Sequence, residues 1–190
     1  MYISGIFAGL LLAAIAAANS AEDFRIEVVR LPATSAIVRD MKGDYSQHAA
    51  AARAMYATLG PACFDRTAAF GEYPDDPDVV GPDQVKWRLG FLIPDVSALA
   101  ACRANAHGLY RTMRYQAVQA ATLRTTLGAS RAAGLAMLKW LPGSGYVQVA
   151  PTRMVFLDRR GAPDSPVRIE VPVRERTWAV PASGKMRASR

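Results

Sequence analysis

The chain has 190 residues, 51% of them apolar, and a formal net charge of +7. That is enough to bury one substantial core or two small fused ones, and one compact domain is the default. No stretch reaches the five or six consecutive like charges of a polybasic patch, so the charge is read as solubilising and no nucleic-acid partner is expected.

The first eighteen residues, MYISGIFAGLLLAAIAAA, carry no charged side chain. As a helix they would rise about 27 Å, close to the hydrocarbon thickness of a bilayer. A retained membrane anchor is the favoured reading, and a secretory signal cleaved after Ala16-Ala17-Ala18 is the alternative. Arg25, Arg30, Arg39 and Lys42 follow the segment and no basic residue precedes it, which keeps the main domain cytoplasmic if the anchor stays. Cleavage would put it outside. Residues 1–20 are accordingly assigned to the membrane or signal segment, 21–175 to the folded domain and 176–190 to a basic tail.

Ile26 to Val29 and Ser35 to Arg39 have the β-branched character of one strand interrupted at Pro32, which a proline tolerates only at an edge or bulge. Gly43 breaks it, and Asp44 or Ser46 can cap the helix that follows. The alanines from Ala49 to Ala57 favour that helix, and Leu59-Gly60-Pro61 ends it. His48, near its start, is read as an exposed surface histidine. The acidic stretch EYPDDPDVV, Glu72 to Val80, reads as a turn whose aspartates accept backbone N–H groups. The strand VKWRL, Val85 to Leu89, comes next.

This order then recurs. RDMKG at Arg39 to Gly43 resembles RTTLG at Arg124 to Gly128; Ala54-Met55, Leu59 and Pro61 match Ala136-Met137, Leu141 and Pro142. Tyr73-Pro74-Asp75 matches Phe156-Leu157-Asp158, and VKWRL matches VRIEV at Val167 to Val171. Four matches in one order predict a duplicated unit of strand, helix, strand, strand. In the second copy Ser130 is the cap candidate and Pro142-Gly143 the stop. Met55, Leu59, Leu135, Leu138 and Leu141 are expected to supply most of the packing under these alanine-rich helices. A cleft where the halves meet is the natural ligand site. Cys63 and Cys102 are too few for a disulfide framework and lack metal-site spacing; a single bridge requires export from the reducing cytosol.

Gly43-Asp44-Tyr45 before a helix, the turn Tyr73-Pro74-Asp75-Asp76-Pro77, and GPDQVKWRLGFLI together resemble the gyrase-inhibitor-like (GyrI-like, SOUL-type effector-binding) small-molecule-binding domain. The resemblance covers about Arg25 to Val173 and is strongest from Met41 to Ile93. With an apolar leader in front, the arrangement is similar to that of the membrane-anchored testis-expressed reticulophagy receptor and its bacterial counterparts. The resemblance implies an α+β fold of two units related by a pseudo-twofold axis, with an antiparallel sheet and an apolar cleft for flat or cationic molecules. It also implies acidic side chains on the later strands, whereas the matching positions here hold Met154 and Arg168, leaving Glu72 or Glu170 to substitute.

The candidate ligand-binding residues are Tyr45, Glu72, Tyr73, Trp87, Phe156 and Glu170. The two tyrosines line the cleft from opposite sides, Trp87 and Phe156 sit on comparable strands for stacking, and Glu72 beside Tyr73 and Trp87 is the candidate acid. No Gly-x-Ser-x-Gly elbow or phosphate-binding glycine loop is present, and His48 and His107 have no ligand-spaced partner, so no metal or cofactor is expected. The expected function is small-molecule binding without catalysis at a membrane; an adaptor module and a hydrolase of small aromatic compounds are the alternatives. Trp178, in ERTWAVP, is expected to anchor the tail along the domain.

Overall fold

A computed structural model describes residues 24–64, 67–75, 77–103, 108–158 and 160–177. The expected membrane segment, His107 and the Trp178 anchor lie outside them. Among the described residues no helix is long and apolar enough to cross a membrane.

The strands are β1 (Glu27–Leu31), β2 (Thr34–Lys42), β3 (Ala68–Tyr73), β4 (Lys86–Ile93), β5 (Arg111–Tyr115), β6 (Val118–Thr126), β7 (Tyr146–Gln148), β8 (Thr152–Phe156) and β9 (Pro166–Glu175). The helices are α1 (His48–Leu59), α2 (Pro61–Phe64), α3 (Pro77–Val80), α4 (Val96–Arg103) and α5 (Ser130–Trp140). All strand pairs are antiparallel, in the order β1-β6-β9-β8-β3-β4-β2-β5, with β7 added to β9. The protein is thus α+β, a curled antiparallel sheet with few helices.

The order is symmetric about the β3–β8 pair, where Gly71 faces Met154 and Glu72 faces Arg153. Outward from it lie β4, β2 and β5 on one side and β9, β6 and β1 on the other. The duplicated plan read from the sequence is therefore laid out as two halves of one sheet. Three details differ from the expectation. Pro32 does not interrupt one strand but separates two: β1 leaves to pair with β6 of the other half, and β5 returns to pair with β2. Each half lends an edge strand to its partner, which no local pattern encodes. The second difference is register, since the matching burial patterns of β4 and β9 align Trp87 with Val167, two positions from the alignment of VKWRL with VRIEV. A shift of two keeps every side chain on its face. Finally, Ser130 is already helical and its hydroxyl donates to the Leu127 carbonyl at 2.7 Å, so it does not cap α5.

One sheet face is covered by helices. Met55, Leu59 and Ala51 of α1 pack there with Trp87, Leu89 and Phe91 of β4. Ala133 and Met137 of α5 pack with Leu123, Ile169 and Val171. The buried stripes Ala51-Met55-Leu59 and Ala133-Met137 follow the helical repeat. Leu135 and Leu138 are more than half exposed and fall off that stripe, contrary to the packing role expected of them. Cys63 in α2 and Cys102 in α4 form a disulfide, settling the pairing left open by the sequence.

On the opposite face Ala36, Val38, Phe70 and Val155 form a small apolar cluster. Beside it runs a line of alternating charge. Arg111 bonds Asp40, Asp40 bonds Arg88, and Arg88 bonds Glu72, at 2.8, 2.8 and 2.6 Å. Glu72 is the register partner of Arg153, which lies 3.4 Å from Glu170, itself 2.6 Å from Arg168. The line crosses β5, β2, β4, β3, β8 and β9 and ties both halves together through the β3–β8 pair.

Candidate functional site

Gly43 takes φ +107°, a conformation available to glycine, and its N–H donates to the Val85 carbonyl at 2.9 Å. The chain thereby turns sharply out of β2. Asp44 then accepts the Ser46 N–H at 2.6 Å and opens the 3-10 turn Tyr45–Gln47 that leads into α1. This places Tyr45, His48, Ala49, Ala52, Arg53 and Tyr56 along one side of the helix, at the three- and four-residue spacing of a single face.

That side overlooks the centre of the sheet, and between them lies a cavity of about 560 Å³. Its floor is Ala69 and Tyr73 of β3, Leu89 of β4, and Met154 and Phe156 of β8; Leu127 and the segment Asp158, Arg160, Gly161 close the far end. The volume falls in the range typical of small-molecule sites, and so does the mixture of aromatic walls with a few polar groups.

The walls are built from ring contacts. Tyr45 meets Tyr73 edge-on at 5.0 Å, and His48 lies 5.0 Å from Phe156. The Tyr45 hydroxyl donates to the Asp75 carbonyl at 2.8 Å, and the Asp75 carboxylate accepts the Lys86 N–H at 2.7 Å. The aromatic after the first turn and the acidic stretch thus hold one another, and Asp75 receives a backbone N–H as its turn chemistry requires. Asp76 lies outside the described residues. Burial, followed by the nearby Tyr45, raises the Tyr73 hydroxyl well above its ordinary pKa. It stays protonated at any physiological pH.

His48 departs most from the sequence reading. It is half-buried in the cavity wall: its ring stacks on Trp87 at 5.6 Å, and its Nε2 is a buried atom with no hydrogen-bond partner among the described residues. Desolvation pushes its pKa down to about 4, so the imidazole is neutral near pH 7. The signal was in the sequence, since His48 begins the stripe that continues through Ala51, Ala52 and Met55.

Of the six candidate residues, Tyr45, Tyr73 and Phe156 line the cavity. Trp87 lies behind the wall, 2% exposed, touching Tyr45 and His48 and donating its indole N–H to the Gly43 carbonyl at 3.0 Å. Glu72 and Glu170 do not reach the cavity. Strand side chains alternate between faces, so Tyr73 on the cavity side puts Glu72 on the other, where Arg88 binds it; Glu170 likewise lies between Arg153 and Arg168. Met154 lies in the floor, so no strand carboxylate faces the space. Sequence reading missed Arg53, Tyr56, Leu127 and Arg160, which the fold brings in from an exposed helix side and two loops.

Among the described residues no nucleophile and base are brought together around the cavity. Ser46 lines the cavity near His48, but its N–H and hydroxyl serve the Asp44 carboxylate, whose pKa they lower. Among the described residues the His48 Nε2 has no hydrogen-bond partner, so it is not engaged with a nucleophile.

No family model and no curated protein matches this sequence. Solved structures do match its fold. The C-terminal domain of EcmrR superposes with a TM-score of 0.64 at 13% identity, over 80% of this chain and 99% of that one. EcmrR in its DNA complex gives 0.62 at 14%, over 80% and 58%, so this chain spans little more than half of that protein. A hydrolase from Listeria innocua gives 0.54 at 14%, over 79% and 92%. At such identities the likeness shows the fold alone, and it is consistent with the gyrase-inhibitor-like architecture expected from the sequence.

Proposed function

We propose that this protein binds a flat, predominantly apolar small molecule in the cavity between α1 and the β3–β8 centre of the sheet, without converting it chemically. The observation that carries this reading is the cavity itself, about 560 Å³ walled by Tyr45, His48, Tyr56, Tyr73 and Phe156. Rings stack on flat molecules from several directions, and the Tyr45–Asp75 bond and the ring contacts hold the walls in place before a ligand arrives. The likeness to a domain of EcmrR supports the same reading at the level of fold.

The Cys63–Cys102 bridge supports the exported alternative over a cytoplasmic domain, because cytosolic thiols are kept reduced. Mass spectrometry of protein purified from its native host, with thiols alkylated during lysis, tests this: a bridged pair agrees, and two alkylated cysteines contradict it.

Binding is tested by thermal unfolding of the full chain against a panel of flat neutral aromatics and flat cations. A ligand at a hundred times its Kd adds about 2.7 kcal/mol. The gain is expected in the wild type and absent in Ala52→Trp, whose indole fills the cavity. No stabilisation across the panel, or the same gain in both proteins, overturns the reading. A ligand that stabilises and is consumed with time shows catalysis.

A further inference from the structure

We propose that the cavity selects a flat apolar molecule bearing one anionic oxygen group, held at the rim by Arg53. The inference rests on the ligand-binding reading above and adds the charge of the ligand. Among the described residues, three charged ones line the space: Arg53, Asp158 and Arg160. Arg160 is taken up locally, its guanidinium 2.8 Å from Asp158 and 3.1 Å from Asp164. Asp158 is committed in return, accepting the Arg160 N–H at 3.1 Å as well. These two cancel.

Arg53 is different. Its side chain rises from the exposed part of α1, and it makes no ion pair or hydrogen bond within the described residues. Ala49 lies one turn before it and Tyr56 about one turn after, so the three share the helix side that lines the cavity, with Arg53 its exposed member. Of the other described acids, Asp40, Glu72 and Glu170 project from the opposite sheet face, each held by an arginine, while Asp164 is engaged with Arg160. Among the described lining residues Arg53 is therefore the charged group without an ionic partner, and no carboxylate there is free to meet a cation. An arginine fork suits a carboxylate or sulfonate, with charge-assisted hydrogen bonds that a neutral analogue lacks.

Three probes with one ring system separate the charge question from the binding question. 1-Pyrenebutyrate, 1-pyrenebutanol and 1-pyrenebutylammonium, matched in chain length, are titrated into the full chain by isothermal calorimetry at low salt. The butyrate is expected to bind about tenfold more tightly than the alcohol, the scale of one charge-assisted contact, and the ammonium more weakly than either. Arg53→Gln should bring the butyrate down to the level of the alcohol in the same variant, and a wild-type unfolding midpoint shows that the variant folds. Raising the salt concentration should narrow the same gap. If the ammonium binds as well as the butyrate, or Arg53→Gln preserves the butyrate's advantage, the charge inference is wrong and the ligand-binding reading stands. If none of the three binds, both fall.

Discussion

The hydroxyl of Tyr45 donates to the backbone carbonyl of Asp75 at 2.8 Å, joining a helix-entry turn to a loop thirty residues further on. One bond fixes two things at once: the pose of an aromatic wall and the path of the chain between β3 and β4. Tyr45→Phe keeps the ring and removes the bond. The expected cost is about 1 kcal/mol in denaturant unfolding with an unchanged slope, together with weaker ligand binding. An unchanged midpoint would show that the bond does not hold the wall.

The charged line on the opposite face should lose stability in proportion to burial. Asp40 lies at its exposed end, and Asp40→Asn is expected to cost under about 1 kcal/mol. Glu170 is 1% exposed between two arginines, and Glu170→Gln should cost about 3 kcal/mol because it strands a buried guanidinium. Neither change should alter ligand affinity, since both residues face away from the cavity. Equal losses for the two would contradict the gradient.

His48 makes stability depend on acidity. The unfolded chain takes a proton on this histidine below about 6.5, whereas the folded protein refuses it until about 4. Stability therefore falls as pH drops through that window, by roughly 2–4 kcal/mol. Urea unfolding of wild type and His48→Leu between pH 7 and 4 should show a markedly flatter profile for the variant. Asp40 acts lower on the scale: burial raises its pKa, but Arg111 and Arg88 together outweigh that and hold its carboxyl below 3.8, so its contribution is present above that value and lost below it.

Two strand glycines separate stability from binding. A methyl group at Gly90 would stand 2.8 Å from the Ile37 carbonyl and 2.7 Å from the Phe70 ring, and backbone cannot yield. Gly90→Ala should cost about 2–3 kcal/mol. At Gly71 the neighbour is the Tyr73 side chain, which can swing away. Gly71→Ala should therefore weaken binding more than it weakens the fold, as calorimetry and unfolding on the same samples will show.

Local signals in the sequence reached as far as the elements and their order. Gly43, the alanine run and Gly60 marked α1, and the match of Met55 with Met137 marked its repeat, because each depends on neighbours within a few turns. The exchange of β1 and β5 between halves was not legible, since strand pairing across the chain leaves no local trace. The aromatic walls were found through Tyr45, Tyr73 and Phe156. The acids were not: Glu72 was read by its nearness to Tyr73, yet adjacent residues in a strand point to opposite faces. Arg53 was hidden among alanines, where a lone arginine reads as ordinary surface.

The most direct measurement is made on the Met154 methyl group, in the cavity floor, with Met137 in the smaller second cavity beside α5 as its internal control. With ¹³C-methyl-methionine protein and bound 1-pyrenebutyrate, nuclear Overhauser contacts from the pyrene protons to Met154 and none to Met137 are predicted. Contacts to Met137 alone, or to neither methyl despite saturation, would contradict a ligand site between α1 and the centre of the sheet.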